Sequence, residues 1–227
     1  MGKDKLRKFA EVAAMDHVIE PDKEEMLHGC DRLRGKWKTE VFARPAPITL
    51  ELACGKGEYT LALAQRYPER NFIGVDIKGN RIWRGAKTSR EQDLSNVAFL
   101  RTRIESIDSF FAEDEVDEIW ITFPDPQKKS RREKKRLTHP GFLERYRKIL
   151  RSGGTVNLKT DSSTLYDYTM DVILEQGLKV HHRCIDVYVL GKQKFPDELN
   201  EIMETKTHYE QMWLEEGKQI KFISFEL

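Results

Sequence analysis

The chain has 227 residues, 39% of them hydrophobic and 34% charged, with a formal net charge of +1. This length and balance fit one α/β domain with a sizeable core and a short extension, and no run approaches the roughly 18 apolar residues of a membrane span. The three cysteines, Cys30, Cys54 and Cys184, are far apart and form no CxxC pair, which argues against a disulfide framework or zinc site and fits a reducing cytosol.

Taken in chain order, the first residues lack a signal-peptide hydrophobic region. Met1-Gly2 is not followed by the Ser or Thr of a myristoylation signal, because Leu6 stands there. Residues 1–47 are polar and weakly periodic, broken by Pro21, Pro45 and Pro47, and read as an N-terminal arm with one or two short helices preceding a domain over 48–227. A regular alternation then begins. Strand-like runs at Ile48–Ala53, Asn71–Asp76, Val97–Arg101, Glu118–Thr122 and Thr155–Thr160 are separated by helical patterns near 58–67, 79–93, 105–111, 139–150 and 162–176. Strands alternating with helices predict a mostly parallel, doubly wound sheet. The stretches 180–189 and 219–226 predict two further strands, antiparallel at one sheet edge.

The first predicted strand ends in Glu51-Leu52-Ala53-Cys54-Gly55-Lys56-Gly57-Glu58 and runs into a helix. Glycines there let backbone N–H groups approach a ligand, and the helix N-terminus adds positive partial charge. Asp76 follows Gly55 by 21 residues at the end of the second strand, where an acid accepts both hydroxyls of a ribose. Together these predict a nucleoside cradle. Thr60 stands where GxGxxG asks for its third glycine, which weakens a dinucleotide reading, and Glu51 suits a cationic ligand. Leu150 to Gly154 reads as a glycine turn before the fifth strand.

The segment Ile121–Arg136, ITFPDPQKKSRREKKR, carries Asp125 between two prolines and then seven Lys or Arg in its last nine residues. A carboxylate in a φ-restricted loop beside a dense cationic run suits a site handling one polar group of a polyanion. Lys128, Arg131, Arg132, Lys134, Lys135 and Arg136 are the candidate phosphate contacts. None of the six histidines has metal-ligand partners at useful spacing, so no metal is expected. Trp83, Trp120 and Trp213 are expected in the core, with Trp37 exposed beside Lys36 and able to stack on a base. Asp161 either joins the site or caps the helix after it.

The glycine segment resembles the (E/D)xGxGxG motif of Rossmann-like, class I S-adenosylmethionine methyltransferases, with Ala53 in place of the first glycine. Four further segments, Gly35-Lys36-Trp37, Phe123-Pro124-Asp125-Pro126, Thr160-Asp161 and Thr207-His208-Tyr209-Glu210, make the chain resemble the bacterial tRNA (guanine-N7)-methyltransferases from about residue 35 to the end. Gln127 departs from that family's tryptophan, and Arg103 from its usual acid. The resemblance implies a cytoplasmic enzyme, monomer or homodimer, free of membrane and metal, that methylates N7 of a guanine in the tRNA variable loop. It implies Asp125 as the catalytic carboxylate. Glu51, Gly55, Gly57, Asp76, Arg103 and Asp125 would hold S-adenosylmethionine, and Lys129, Asp161, Thr207, Tyr209 and Glu210 would hold the substrate. Two alternatives are methylation of an exocyclic base amine and a non-catalytic tRNA-binding module.

Overall fold

The structure is a computed structural model that describes residues 3–29, 32–42, 44–191 and 194–227; Cys30 lies outside the described residues. Eight strands form one sheet: β1 (Val18–Ile19), β2 (Ile48–Leu52), β3 (Asn71–Asp76), β4 (Val97–Arg101), β5 (Val116–Thr122), β6 (Leu150–Thr160), β7 (Val180–Cys184) and β8 (Lys221–Glu226). Their spatial order is β1-β4-β3-β2-β5-β6-β8-β7. Pairing is parallel from β1 through β6 and antiparallel for β6–β8 and β8–β7. The expected α/β architecture is therefore present, with its antiparallel strands at the C-terminal edge.

Side chains alternate across the central strands and divide the core in two. Ile48, Leu50, Leu52, Ile73, Val75, Ile119 and Ile121 face one layer, built with α5 (Pro140–Arg147) and α6 (Ser163–Glu175). Phe72, Phe99, Trp120 and Phe222 face the other, built with α1 (Lys3–Ala13), α3 (Glu58–Arg66), α4 (Gly79–Glu91) and α8 (Asp197–Met203). The shorter helices α2 (Lys23–His28), α7 (Val187–Leu190) and α9 (His208–Glu215) lie in the connections. Two layers of helix around one sheet leave only its strand ends and loops for a site.

Residues before Ile48 are woven into this fold. β1 adds a parallel strand beside β4, Val12 and Met15 of the α1 segment pack with Ile82 and Ala86 of α4, and Trp37 is fully buried. Trp37 stacks on Phe111 at 4.9 Å and donates its Nε1–H to Phe110 O at 2.8 Å. It is a core residue, not the exposed base-stacking ring expected from its lysine neighbour; only distant partners over 70 residues away decide that.

Other element boundaries differ for local reasons. The stretch 105–111 forms a short 3₁₀ segment, Ile104–Ser109. β6 begins at Leu150 and absorbs Gly153-Gly154 as an irregularity, with Gly153 at φ 70°, instead of starting after a turn. Beyond Cys184 the expected strand gives way to α7, because Asp186 caps it by accepting from the N–H groups of Tyr188 and Val189.

Candidate active site

The register aligns the carboxyl ends of β2, β3, β5 and β6: Leu52 pairs with Val75 and Ile121, and Thr122 pairs with Lys159. Strand order reverses between β2 and β5, a topological switch point. The glycine turn, Asp76, the Pro-Asp-Pro loop and Asp161 therefore open onto one sheet edge. Three adjoining cavities occupy it. One of about 520 Å³ is lined by Ala53, Asp76, Arg103, Glu105, Gln127 and Phe142, among others. A small one of about 70 Å³ shares Ala53 with it and adds Glu51, Gly55, Thr122 and Thr207. A third, about 660 Å³, holds Asp125, Lys128, Asp161 and Trp213, and shares Arg81, Phe123 and Tyr209 with the small one.

Around the first two cavities the backbone is fixed by acids. Asp76, 6% exposed, accepts the Gly55 N–H at 3.0 Å and the Lys78 N–H at 2.8 Å, one on each oxygen, and each oxygen keeps a further lone pair. Gly55 sits at φ 59° with open space where a Cβ would stand. Gly57, at φ 68°, is different: a Cβ there would meet the Phe99 ring at 2.7 Å, so this glycine serves close packing at the start of α3. Glu51 is buried and accepts from Thr60 N–H at 2.9 Å, Thr60 Oγ1 at 2.5 Å and Thr122 Oγ1 at 2.6 Å. Desolvation outweighs these hydrogen bonds and pushes its carboxyl up to about 7.

At the third cavity Asp125 is exposed and accepts the Gln127 N–H at 3.0 Å. Phe123 and Gln127 both lie at positive φ, 48° and 47°. Gln127 turns away from Asp125 towards the 520 Å³ cavity, where its Oε1 is buried with no hydrogen-bond partner among the described residues. The basic run forms a 3₁₀ segment, Ser130–Lys135, on which Arg131, Arg132, Lys134 and Lys135 are exposed. Arg136 is not a phosphate contact: its side chain is 7% exposed, lies 4.3 Å from the Tyr168 ring centroid, and donates to Gln127 O at 3.4 Å. It braces the loop from behind.

Of the candidate substrate residues, Tyr209 and Asp161 line the 660 Å³ cavity and Thr207 the small one. Lys129 is exposed at the start of the 3₁₀ segment, and its neighbour Lys128 is the lysine at the cavity wall. Glu210 is 0% exposed and belongs elsewhere: it pairs with Lys159 at 2.8 Å, itself 0% exposed, and accepts from Tyr188 Oη at 2.6 Å. Lys159 also donates to Met203 O and Thr205 O, so the pair pins the chain entering α9 against β6. Ser162, not Asp161, caps α6, and Thr207 caps α9. Asp161 is left to the cavity, 3.7 Å from Lys218.

Sequence reasoning did not single out Arg81 or Lys218 and expected Trp213 in the core, yet all three line the 660 Å³ cavity; Phe123 and Gln127, noted there as parts of the proline segment, line cavities as well. Arg81 carried a usable signal, standing in the first turn of the helix that follows Asp76. It also joins Lys8, Lys56 and Arg84 along a cationic groove beside Trp83. Among the described residues no helix is long and apolar enough to cross a membrane, and no group of three or more His, Cys, Asp or Glu could hold a metal ion.

Residues 45–223 match a family model described as "Putative methyltransferase". The tRNA (guanine-N(7)-)-methyltransferase of Christiangramia forsetii is 47% identical over 99% of this chain and 98% of its own, and that of Porphyromonas gingivalis is 55% identical over 86% and 77%. Among solved structures, the 16S rRNA methyltransferase KamB aligns with TM-score 0.61 at 14% identity, over 92% of this chain and 95% of its own, a likeness of fold alone. The chain belongs to the tRNA (guanine-N7)-methyltransferase family.

Proposed function

We propose that the protein transfers a methyl group from S-adenosylmethionine to N7 of a guanine in the tRNA variable loop. The observation that carries this reading is the row of three cavities with shared walls, which lets a nucleoside-bearing donor and a purine ring meet across Phe123. The residues fit the donor. Asp76 has acceptor capacity left for ribose hydroxyls, Gly55 leaves open space beside it, and the unpaired Gln127 Oε1 suits an exocyclic amine of a base. Glu51, at the wall of the small cavity, offers a carboxylate whose ionisation a cationic group would restore. When bound, S-adenosylmethionine supplies an electrophilic methyl on a positively charged sulfur. Arg103 stands at the rim and Glu105 beside it, so an acid is present near the base although not at the expected position.

Guanine N7 carries an in-plane lone pair and no proton, so the reaction needs orientation more than a base. Asp125 retains a carboxylate oxygen not engaged by Gln127 and would accept from the N1–H and N2–H₂ edge of the purine, leaving N7 directed inward. The same negative charge favours the cationic product. The exposed basic segment and the groove lined by Arg81 and Arg84 would hold phosphates on either side. The test is to incubate the protein with a methyl-labelled donor and unmodified tRNA and map the label by aniline cleavage, which reports 7-methylguanosine. Cleavage at a variable-loop guanine is expected; label on an exocyclic amine, or none, overturns the reading.

A further inference from the structure

Lys218 stands in an unusual place. Its Nζ lies 3.3 Å from the centroid of the Trp213 ring and 3.7 Å from Asp161 Oδ2, and all three line the 660 Å³ cavity with Asp125 and Tyr209. An aromatic face with a carboxylate at its edge favours a cation. Of the four tryptophans, Trp37 and Trp120 are buried in the core and Trp83 lies against α1, with Lys8 4.7 Å from its centroid. Trp213 is thus the tryptophan in the same cavity as Asp125. Gln127, next to the proline loop, supplies no aromatic surface and faces the other cavity.

We propose that Trp213 is the surface on which the guanine stacks, that Asp161 flanks the positive charge N7 acquires, and that Lys218 fills this aromatic and acidic cage until a base displaces it. The proposal rests on the N7 reading above and adds the residues that recognise the purine. Guanine methylated at N7 carries a delocalised positive charge, so the cage that holds an ammonium holds the product ring better than the neutral substrate ring. That difference develops as the methyl arrives, and it therefore favours the transition state as well as the product. Lys218 can leave without losing a counter-ion, since Glu216 Oε2 lies 3.0 Å from its Nζ and is not among the residues at the cavity wall. Gly217, at φ 73°, precedes it in the turn after α9.

Steady-state kinetics on tRNA, calorimetry with S-adenosylmethionine and fluorescence titration test this together. Trp213→Ala should raise KM for tRNA about ten-fold or more, in the range of one base stack removed, while donor affinity stays unchanged, and Trp213→Phe should recover most of it. Lys218→Met should lower KM about two- to five-fold by removing the competitor for the ring. 7-Methylguanosine monophosphate at millimolar concentration should quench wild-type fluorescence more than guanosine monophosphate does, and Trp213→Phe should lose that quench. An unchanged KM in Trp213→Ala, a raised KM in Lys218→Met, or no quenching of the wild type overturns the cage while N7 product still forms. Wild-type product labelled elsewhere than N7 overturns the reaction itself and the cage with it.

Discussion

Glu210→Ala removes one partner of an ion pair whose side chains are both fully buried. Lys159 would keep Met203 O at 3.2 Å and Thr205 O at 3.1 Å but no counter-charge, and burial already pushes its ammonium below the usual lysine range, with Glu210 opposing that shift. Breaking such a pair costs about 3–5 kcal/mol. In a domain of this size each kcal/mol moves the melting temperature by about 2–4 °C, so Tm should fall by about 6–20 °C, read by scanning calorimetry. The double variant Lys159→Met with Glu210→Leu should recover most of the loss, because replacing a buried pair by apolar groups is often neutral and the Tyr188 hydroxyl, released from Glu210, has Met203 O as an acceptor at 3.2 Å. A Glu210 that touched guanine would behave oppositely. Tm within about 2 °C of wild type together with a raised KM for tRNA would refute the structural role.

Glu51→Gln tests the buried carboxyl. Its folded pKa of about 7 lies above the unfolded value of 4.5, so the folded state keeps a proton that the unfolded chain releases, and stability falls as pH rises between the two. Relative to wild type the Gln variant should therefore gain about 3 kcal/mol across that window, checked by urea unfolding at either end of it, and a pH-independent difference would contradict it. Donor affinity of the wild type should weaken as pH falls through about 7, where Glu51 takes up its proton; calorimetry across that range reads this. Asp125→Ala should lower turnover about 10²-fold by misorienting the base with donor affinity retained, whereas a parental rate on tRNA would remove Asp125 from the mechanism. Alanine at Arg131, Arg132, Lys134 and Lys135 should flatten the log-log salt dependence of tRNA binding by about 0.7–0.9 for each phosphate no longer neutralised, and an unchanged slope would exclude this segment from the RNA interface. Phe123→Gly should leave Tm within a few degrees, since relief of its left-handed backbone offsets the reduced burial, yet turnover should drop sharply; a large fall in Tm with normal turnover would contradict a site role.

The central strands were legible because each is a short apolar run closed by a polar or glycine residue, and Asn71–Asp76 and Val97–Arg101 match residue for residue. The Asp76 and glycine-turn pairing was legible too, since strand-turn-helix order puts both at the carboxyl edge. What could not be read were side chains whose fate depends on distant partners. Trp37 is decided by Phe110 and Phe111, Glu210 by Lys159 and Tyr188, and Arg136 by Tyr168. Two of these are charged groups that local polarity assigns to solvent, and burial becomes tolerable only through a partner far along the chain. Conversely Trp213, which hydropathy assigns to the core, sits beside Lys218 at a cavity wall.

Backbone strain gathers at the same edge. Five described non-glycine residues have positive φ: Asp93 and Asp114, a residue type that tolerates it, and Ala53, Phe123 and Gln127, which do not gain from it. Ala53 and Phe123 directly follow β2 and β5 and Gln127 lies in the loop after β5, and all three line the row of cavities. Each costs of order 1–3 kcal/mol, a large share of the roughly 5–15 kcal/mol that holds a domain folded, so each conformation needs an independent restraint. Phe123 N–H donates to Lys159 O at 2.8 Å, Gln127 N–H to Asp125 at 3.0 Å, and Arg136 to Gln127 O. Lys159 and Arg136 are both buried, so the loop carrying Asp125 is restrained from the interior while its carboxylate remains exposed. The side chain of Arg136, a cation that local sequence would send to RNA, and the backbone carbonyl of Lys159 thus restrain from the interior a loop whose acid is exposed.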